Sequence, residues 1–233
     1  LRLEDRMAAL GALSVGMAHE IRNPLGSISG GIEILEQAVP AGDPRREFVD
    51  ILKREVARLD DLVERQLDLA RTGTGEREPC DLGDIARSVT ELAQKRAEAQ
   101  GMTVVTAIEP GAPAAWADGS RIRQAVLNLV VNAIQAMPSG GELRVKVRAA
   151  GDRVALEVAD RGPGLSDDAR DRLFEPFFTT KRDGTGLGLA IAWQIAKQHG
   201  GDLRADNRAD GGARFVLELP TVEAGREPSE RAS

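Results

Sequence analysis

Two long apolar stripes in residues 1–71 constrain the fold of this 233-residue chain more than any other feature. Within each stripe, apolar side chains recur at steps of three or four residues, which is the period of one helix face. The first stripe contains Leu10, Leu13, Met17, Ile21, Leu25, Ile28, Ile32 and Leu35, and the second contains Phe48, Ile51, Leu52, Val56, Leu59, Leu62, Val63 and Leu67. Residues 39–45, rich in Pro, Gly and Asp, predict a loop between them. The sequence therefore predicts an all-α helical hairpin.

The hairpin has more apolar surface than it can bury by itself. Two copies can cover both stripes by forming a dimeric four-helix bundle, so we expect a homodimer. Pro24 interrupts the first stripe, where a proline removes one backbone hydrogen bond and usually kinks the helix. The chain opens at Leu1 in a helical pattern without an N-cap, so we expect it to be a fragment or a processed product that begins inside a helix.

Residues 80–220 combine helical and strand patterns. Helices are predicted at 82–101, 118–138 and 189–201, with Asp118 as the start of the second and Pro138 as its end. Alternating runs predict a strand at 102–109 and hairpins at 142–160 and 202–220. This mixture indicates an α+β two-layer sandwich. Residues 72–79 are predicted to be a linker, and the polar tail 221–233 is predicted to be disordered.

Composition excludes several classes of protein. Apolar residues make up 42% and charged residues 29% of the chain, which is typical of a soluble globular protein. The net charge of −6 argues against a nucleic-acid binder, which normally carries a basic surplus. The single cysteine, Cys80, excludes an internal disulfide. Without a bilayer-length apolar run or a signal peptide, the expected location is the cytoplasm, as a soluble protein or as the cytoplasmic portion of a membrane protein.

Asn128 and Asn132 lie four residues apart in the predicted helix 118–138, and this spacing places both amides on one helical face. Amide oxygens can bind a cation while the amide nitrogens contact phosphate. The alternative interpretation is an ordinary solvated helix face.

Asp160 opens the segment DRGPG at the end of a predicted strand. A carboxylate at that position can accept a hydrogen bond from the exocyclic amine of adenine, and Gly162 and Gly164 allow the backbone to approach a flat base. The same pattern also occurs in simple tight turns after strands.

A third glycine-rich segment, GTGLGL, precedes the last predicted helix, where free N–H groups suit phosphate. Its candidate binding residues are Gly184, Thr185, Gly186, Leu187 and Gly188. The segment LFEPFFTTK at 173–181 predicts either a flap over a ligand, with Lys181 at its end, or a small hydrophobic anchor.

The order of these segments resembles that of one family. NLVVN, DRGPG, LFEPFF and GTGLGL resemble the N, G1, F and G2 boxes of sensor histidine kinases, and LSVGMAHEIRNPLGSI at 13–28 resembles their H box. The resemblance implies a GHKL-type ATP-binding domain, a fold shared with type II topoisomerases, Hsp90 chaperones and mismatch-repair ATPases. The segments NAIQAMPSGG and FFTTKRDGTGLGL look like the nitrogen-regulation (NtrB-like) class.

The resemblance implies ATP and Mg²⁺ as the ligands of residues 80–220. Asn132 and Asn128 would hold the metal, and Asp160 would recognise adenine. The chain departs from the pattern after Asn132, because Gln135, Ala136 and Met137 stand where many members have a Lys followed by Tyr or Phe. Lys181 is then expected to supply the phosphate-binding charge.

The resemblance also implies the chemistry of the hairpin. His19 would attack the γ-phosphoryl group, since a neutral imidazole is a competent nucleophile near pH 7. Glu20 would act as its general base, and Asn23 would orient a water for dephosphorylation of the partner. That partner would be the receiver domain of a response regulator, which accepts the phosphoryl group on an Asp. His199 lacks such neighbours, and we expect it to interact with a helix dipole.

Three other functions remain open at this point. One is an ATPase switch that forms no phosphoprotein, as in the chaperone and mismatch-repair relatives. Another is a degenerate kinase that acts as a dimeric scaffold, against which His19, Asn132 and Asp160 argue. The third is a serine kinase of the anti-sigma type, which shares the ATP fold but lacks the H-box hairpin.

Overall fold

The computed structural model describes residues 3–40, 42–70, 75–181 and 184–225, with only the helical backbone given for 3–20 and 70. The chain divides into two compact units, Leu1–Thr72 and Gly73–Ser233. Each unit has its own buried residues and is described by itself.

The first unit is the predicted helical hairpin. Helix α1 spans Leu3–Ala38 and continues on both sides of Pro24, and helix α2 spans Arg46–Ala70. Leu25 and Val63 form a small buried cluster between the two helices, with Val56 and Leu67 packed against it. The hairpin prediction is therefore confirmed.

Arg46 closes the turn between the two helices. Its Nη1 donates to the carbonyl oxygens of Glu36 (2.7 Å) and Val39 (2.9 Å), and its Nη2 donates to the Glu36 carboxylate (3.1 Å). The guanidinium thus satisfies carbonyl groups that the end of α1 leaves without helical partners. Lys53 also donates to Glu36 at 2.7 Å, and this hydrogen bond lowers the pKa of the Glu36 carboxyl.

Much of the hairpin's apolar surface remains exposed within a single copy. The exposed large side chains are Ile21, Ile28, Ile34, Leu35, Phe48, Ile51, Leu52 and Leu59. Their exposure fits the argument that one hairpin cannot bury both stripes, and the four-helix bundle of two copies stays a prediction.

The second unit contains the remaining elements. The helices are α3 (Leu82–Ala99), α4 (Gly119–Ala136), α5 (Asp167–Arg172), α6 (Gly188–Gln198) and α7 (Val222–Gly225). The strands are β1 (Glu78–Cys80), β2 (Met102–Ile108), β3 (Ala115–Ala117), β4 (Gly141–Ala150), β5 (Arg153–Ala159), β6 (Asp202–Asn207) and β7 (Ala213–Pro220).

Five of these strands form one sheet, in the order β2-β4-β5-β7-β6, with β2 and β4 parallel and the other neighbours antiparallel. Buried and partly exposed residues alternate along β7, as expected for a sheet covered on one face. Helix α4 packs against both α3 and α6, and all three helices contact strands of the sheet. The predicted α+β two-layer sandwich is confirmed.

Two aspartates begin the long helices of this unit. Asp81 accepts hydrogen bonds from the backbone N–H groups of Gly83 (2.6 Å) and Asp84 (3.3 Å). Asp118 accepts from Ser120 (2.9 Å) and Arg121 (3.2 Å), which confirms the predicted start of α4.

Two segments differ from the predictions. The predicted linker ends early, because Glu78 and Pro79 pair with Ala117 and Trp116 in the β1–β3 ladder. The predicted disordered tail begins late, because Thr221 is buried and Val222–Gly225 forms α7. Both segments are ordered by partners distant in sequence, which local composition does not reveal. Residues 72–74 and 226–233 of these predictions lie outside the described residues.

Each helix in the described ranges is too short or too polar to cross a bilayer.

Candidate functional site

Helix α4 carries both candidate amides, and each is partly exposed. Asn128 lies beside the start of α6, where a methyl group added at Gly188 would come within 3.7 Å of its Oδ1 atom. The NLVVN and GTGLGL segments therefore lie close together at these two residues. A side chain at position 188 would therefore contact the Asn128 amide.

Asn132 holds an internal cation, the ammonium group of Lys181. The Nζ atom donates to Oδ1 of Asn132 at 2.6 Å, to the carbonyl oxygen of Asn132 at 3.1 Å and to Oε1 of Gln135 at 3.1 Å. Because an ammonium group has donors only, the atoms that face it are oxygens. Asn132 therefore presents an oxygen that already binds positive charge.

The environment of Lys181 opposes its charge. Burial lowers the pKa of the ammonium group, and the nearby carboxylate of Asp160 partly offsets that shift. The Lys181 ammonium group lies beside Gln135, one of the three positions at which this chain lacks the Lys and aromatic residue of the box pattern. Sequence analysis named Lys181 as the substitute charge but did not assign Gln135 as its partner.

Asp160 directly follows β5 and is 1% exposed. Its Oδ1 atom accepts from the backbone N–H groups of Gly162 (2.8 Å) and Ala213 (3.1 Å), while Arg208 donates to its carbonyl oxygen (3.0 Å). Within the described part of the chain, no hydrogen bond reaches Oδ2, so that atom can accept one from a ligand. The buried carboxylate is therefore oriented by the backbone.

Arg208 is a residue that sequence analysis missed. It lies 48 positions after Asp160, and no local pattern links the two. It also pairs with Asp210 at 2.6 Å.

Neighbouring atoms lie so close to positions 162 and 164 that a side chain larger than that of glycine would clash with them. A methyl group at Gly162 would lie 2.9 Å from Oδ1 of Asp160 and 3.0 Å from the carbonyl oxygen of Ala136. Gly164 has φ +77°, a conformation that favours glycine, and it precedes Leu165, which exchanges two hydrogen bonds with Asn207. The segment is thus a turn whose position is set by Ala136 and Asn207.

The backbone of the segment 173–181 contacts the GTGLGL segment. The backbone N–H of Phe177 donates to the carbonyl oxygen of Gly186 at 3.0 Å, and Gly186 has φ +68°. A methyl group at Gly186 would clash with the Phe177 backbone, and one at Gly184 would clash with the Thr179 hydroxyl.

The hydroxyl of Thr185 accepts from the N–H of Leu187 at 3.3 Å. The Leu187 side chain is 1% exposed and belongs to the core, so only its backbone is available to a ligand.

The three Phe residues of the segment 173–181 differ in their contacts. Phe174 stacks on Trp193 with ring centroids 6.5 Å apart, and Arg172 lies 4.6 Å above the Phe178 ring. Phe177 is 53% exposed and has φ 66°. Phe174 thus fits the anchor interpretation.

The H-box residues lie on α1, in the other unit. The helical backbone includes His19 and Glu20, and Asn23 follows His19 by one turn. Asn23 is exposed, and its carbonyl oxygen accepts from the Ser27 hydroxyl at 3.3 Å. A hydrogen bond between Arg22 and Glu64 ties this part of α1 to α2.

The second histidine, His199, forms the C-cap of α6 and is fully buried. Its Nδ1 atom lies 2.7 Å from the carbonyl oxygen of Ile195, to which it donates. Desolvation lowers the pKa of the ring. A neutral ring accounts for this environment better than the charge–dipole interaction we expected.

The donors expected for Mg²⁺ are amide oxygens. In the described ranges, no group of three or more His, Cys, Asp or Glu side chains could hold a metal by itself. Mg²⁺ commonly takes few protein oxygens together with water and phosphate oxygens. Asn132 fits that requirement, because its Oδ1 atom already contacts a cation.

Each of the two units matches a known protein family. Residues 9–75 match the His Kinase A (phospho-acceptor) domain, and residues 117–223 match the histidine kinase-, DNA gyrase B- and HSP90-like ATPase family. Among curated relatives, the sensor histidine kinase ZraS of Klebsiella oxytoca is 36% identical over 218 residues, covering 93% of this chain and 47% of ZraS. The chain spans about half the length of the curated relatives it matches.

Solved structures agree with these matches. Full-length ShkA in complex with AMPPNP has a TM-score of 0.79 and 33% identity, covering 90% of this chain and 46% of ShkA. The catalytic domain of histidine kinase ThkA has a TM-score of 0.60 and 30% identity, covering 65% of this chain and 100% of that domain. ThkA in complex with the response regulator TrrA has a TM-score of 0.68 and 27% identity, covering 97% and 66%.

Proposed function

The chain belongs to the sensor histidine kinases of two-component systems, and from that premise we propose that it phosphorylates His19 with ATP and passes the phosphoryl group to a response regulator. The observation that carries this proposal is that one chain matches both a phospho-acceptor domain and an ATPase domain. A chaperone-type ATPase or an anti-sigma-type serine kinase needs only the second.

The second unit is the proposed ATP site. The buried Asp160 carboxylate would accept a hydrogen bond from the adenine amino group at Oδ2, since Oδ1 is already bonded to Gly162 and Ala213. The GTGLGL backbone, which leads into the N-terminus of α6 at Gly188, would bind the phosphates through its N–H groups. ShkA was solved with the ATP analogue AMPPNP, which supports this ligand class.

Asn132, with Asn128 one turn before it, would hold Mg²⁺. A bound Mg²⁺ would neutralise phosphate charge and orient the phosphate oxygens. The contact between Asn132 and the Lys181 ammonium group supports this assignment, because it demonstrates that the amide oxygen faces a cation.

In the proposed first step, a ring nitrogen of His19 forms a bond to the γ-phosphorus while the bond from that phosphorus to the β–γ bridging oxygen breaks. ADP leaves with the bridging oxygen, and Glu20 accepts the proton from the other ring nitrogen. In the second step, a carboxylate oxygen of the regulator's Asp attacks the phosphorus and the histidine nitrogen departs. The ThkA–TrrA complex supports a response regulator as the partner class.

The hairpin is the proposed site of dimerisation and of the reverse activity. The exposed apolar residues of α1 and α2 support a homodimer, because a second hairpin would cover them. The exposed amide of Asn23, one turn from His19, supports a role in positioning water during dephosphorylation of the regulator. We place the chain in the cytoplasm, as the catalytic portion of a sensor, and in the nitrogen-regulation class on its NAIQAMPSGG segment.

Incubation with γ-labelled ATP and Mg²⁺ tests the proposal. We expect the chain to acquire an acid-labile, alkali-stable label, as phosphohistidine does. His19→Gln should remove the label while ATP still binds, and Asp160→Asn should weaken both ATP binding and labelling. ATP hydrolysis without a labelled protein would favour the ATPase switch, and a label retained in His19→Gln would contradict the assignment of the phosphoacceptor.

A further inference from the structure

Lys181 is saturated with hydrogen-bond acceptors from a single turn of α4. Its ammonium group has three donors, and the three acceptors are two oxygens of Asn132 and one of Gln135, at 2.6–3.1 Å. In this position the ammonium group has no N–H left for a nucleotide. We call this arrangement the resting contact of Lys181.

The resting contact competes with a divalent cation for the same atom. Oδ1 of Asn132 is the oxygen proposed to bind Mg²⁺, and the ammonium group lies 2.6 Å from it. Two positive charges held on one amide oxygen would repel each other strongly. The ammonium group must therefore leave Oδ1 before Mg²⁺ can bind there.

The departing ammonium group needs a new negative partner. The lysine stem is long and flexible, so the group can move without a change in the backbone. ATP carries a third phosphate, with three further oxygens and additional negative charge, which ADP lacks. That phosphate is a stronger acceptor than the neutral amides that hold the ammonium group at rest.

We propose that Lys181 discriminates ATP from ADP by exchanging between the third phosphate and its resting contact with Asn132 and Gln135. With ATP, Lys181 binds the third phosphate and leaves Asn132 to the metal. With ADP, it returns to Asn132 and opposes the metal, which weakens product binding. The inference rests on the proposed ATP site and adds a specificity-determining residue to it.

Gln135 has a separate role in this exchange. It is exposed, and its Oε1 atom supports the ammonium group only at rest. Loss of that oxygen would weaken the resting contact without removing the charge that reaches the phosphate. Substitutions of Lys181 and of Gln135 should therefore change the affinities for ATP and ADP in different ways.

Calorimetry tests the exchange. The affinities of the chain for ADP and for the non-hydrolysable analogue AMPPNP are measured, both in the presence of Mg²⁺. For Lys181→Met we expect ADP to bind about threefold to tenfold more tightly and AMPPNP about tenfold more weakly. For Gln135→Leu we expect tighter ADP binding with no loss for AMPPNP. Lys146→Met, which removes the same charge from an exposed position on β4, should change neither affinity.

Several results would overturn the exchange. Equal weakening of both nucleotides by Lys181→Met would make Lys181 a general phosphate contact, and unchanged affinities would remove it from the site. Tighter ADP binding that persists in EDTA would contradict competition with the metal. Lys181→Gln provides a second variant if Lys181→Met fails to fold. Failure of the wild-type chain to bind either nucleotide would instead reject the proposed function.

Discussion

The Nε2 atom of His199 accepts a hydrogen bond from the backbone N–H of Asp118 at 3.2 Å. This contact joins the C-cap of α6 to the N-cap of α4, the helix that carries Asn128 and Asn132. Since Nδ1 donates to Ile195, the ring must be neutral for both bonds to form. Protonation would place a second N–H against the donor of Asp118.

The stability of the second unit should therefore fall in mild acid. Burial lowers the pKa of His199, so its neutral form contributes stability above the ordinary histidine pKa, and this contribution is lost as the pH falls below that value. Arg77 and Arg121 lower the pKa further and Asp118 opposes them. Between pH 7.5 and 5.5 we expect a loss of about 1 kcal/mol in unfolding free energy.

Urea unfolding monitored by tryptophan fluorescence measures this loss, because both tryptophans, Trp116 and Trp193, lie in the second unit. His199→Gln should be less stable at pH 7.5 and should lose less on acidification than the wild type. His19→Gln removes the other histidine and should keep the wild-type pH dependence. An identical pH dependence in His199→Gln would contradict the prediction.

Replacing Asn132 by Ala should weaken Mg²⁺–nucleotide binding at least tenfold, because the variant loses the oxygen that holds a cation in this structure. The amide of Asn128 lies nearer α6, and Asn128→Ala should weaken Mg²⁺–nucleotide binding less. Calorimetry with and without EDTA would measure the metal-dependent part. Unchanged affinity of Asn132→Ala for the Mg²⁺ complex would remove this residue from the metal site.

Asp160→Asn should lower affinity for adenine nucleotides about tenfold or more. The amide can still accept from Gly162 and Ala213, but it would turn an NH₂ group toward the adenine amine and leave two donors facing each other. In a binding competition between ATP and GTP, the variant should no longer prefer ATP. Glu157→Gln, on the strand β5 that Asp160 directly follows, is the matched control and should behave as the wild type.

Gly186→Ala should destabilise the second unit more than Gly151→Ala. Both glycines have φ near +70°, but a methyl group at Gly151 meets open space, whereas one at Gly186 clashes with Phe177. We expect about 1 kcal/mol for Gly151→Ala from the backbone conformation alone, and a larger loss at Gly186. Thermal unfolding of both variants would measure the difference, and equal losses would contradict the close approach of Phe177.

Asn23→Ala should spare autophosphorylation and impair dephosphorylation of the regulator. The exposed amide lies one turn from His19, where it could orient water but is not needed for attack by the imidazole. Parallel assays of labelled His19 and of a phosphorylated receiver domain would separate the two activities. Equal loss of both would argue that Asn23 positions His19 instead.

Local patterns in the sequence predicted most of the elements. The apolar stripes predicted the hairpin because helix period and loop composition are local properties. Asp118 predicted the start of α4 because an N-cap bonds to N–H groups two and three residues later. The β1–β3 ladder and the ordered start of the predicted tail were missed, because Pro79 and Thr221 depend on Trp116 and other partners far along the chain.

By itself, the sequence determined the types and spacing of the chemical groups: an H box on a helix, two amides four residues apart, and a carboxylate after a strand. Only the tertiary structure decided which groups meet. It brought Lys181 onto Asn132 across 49 residues and Arg208 onto Asp160 across 48. A sequence pattern reports hydrogen bonds within a turn or two of the backbone, whereas these contacts arise from packing and sheet pairing between distant segments.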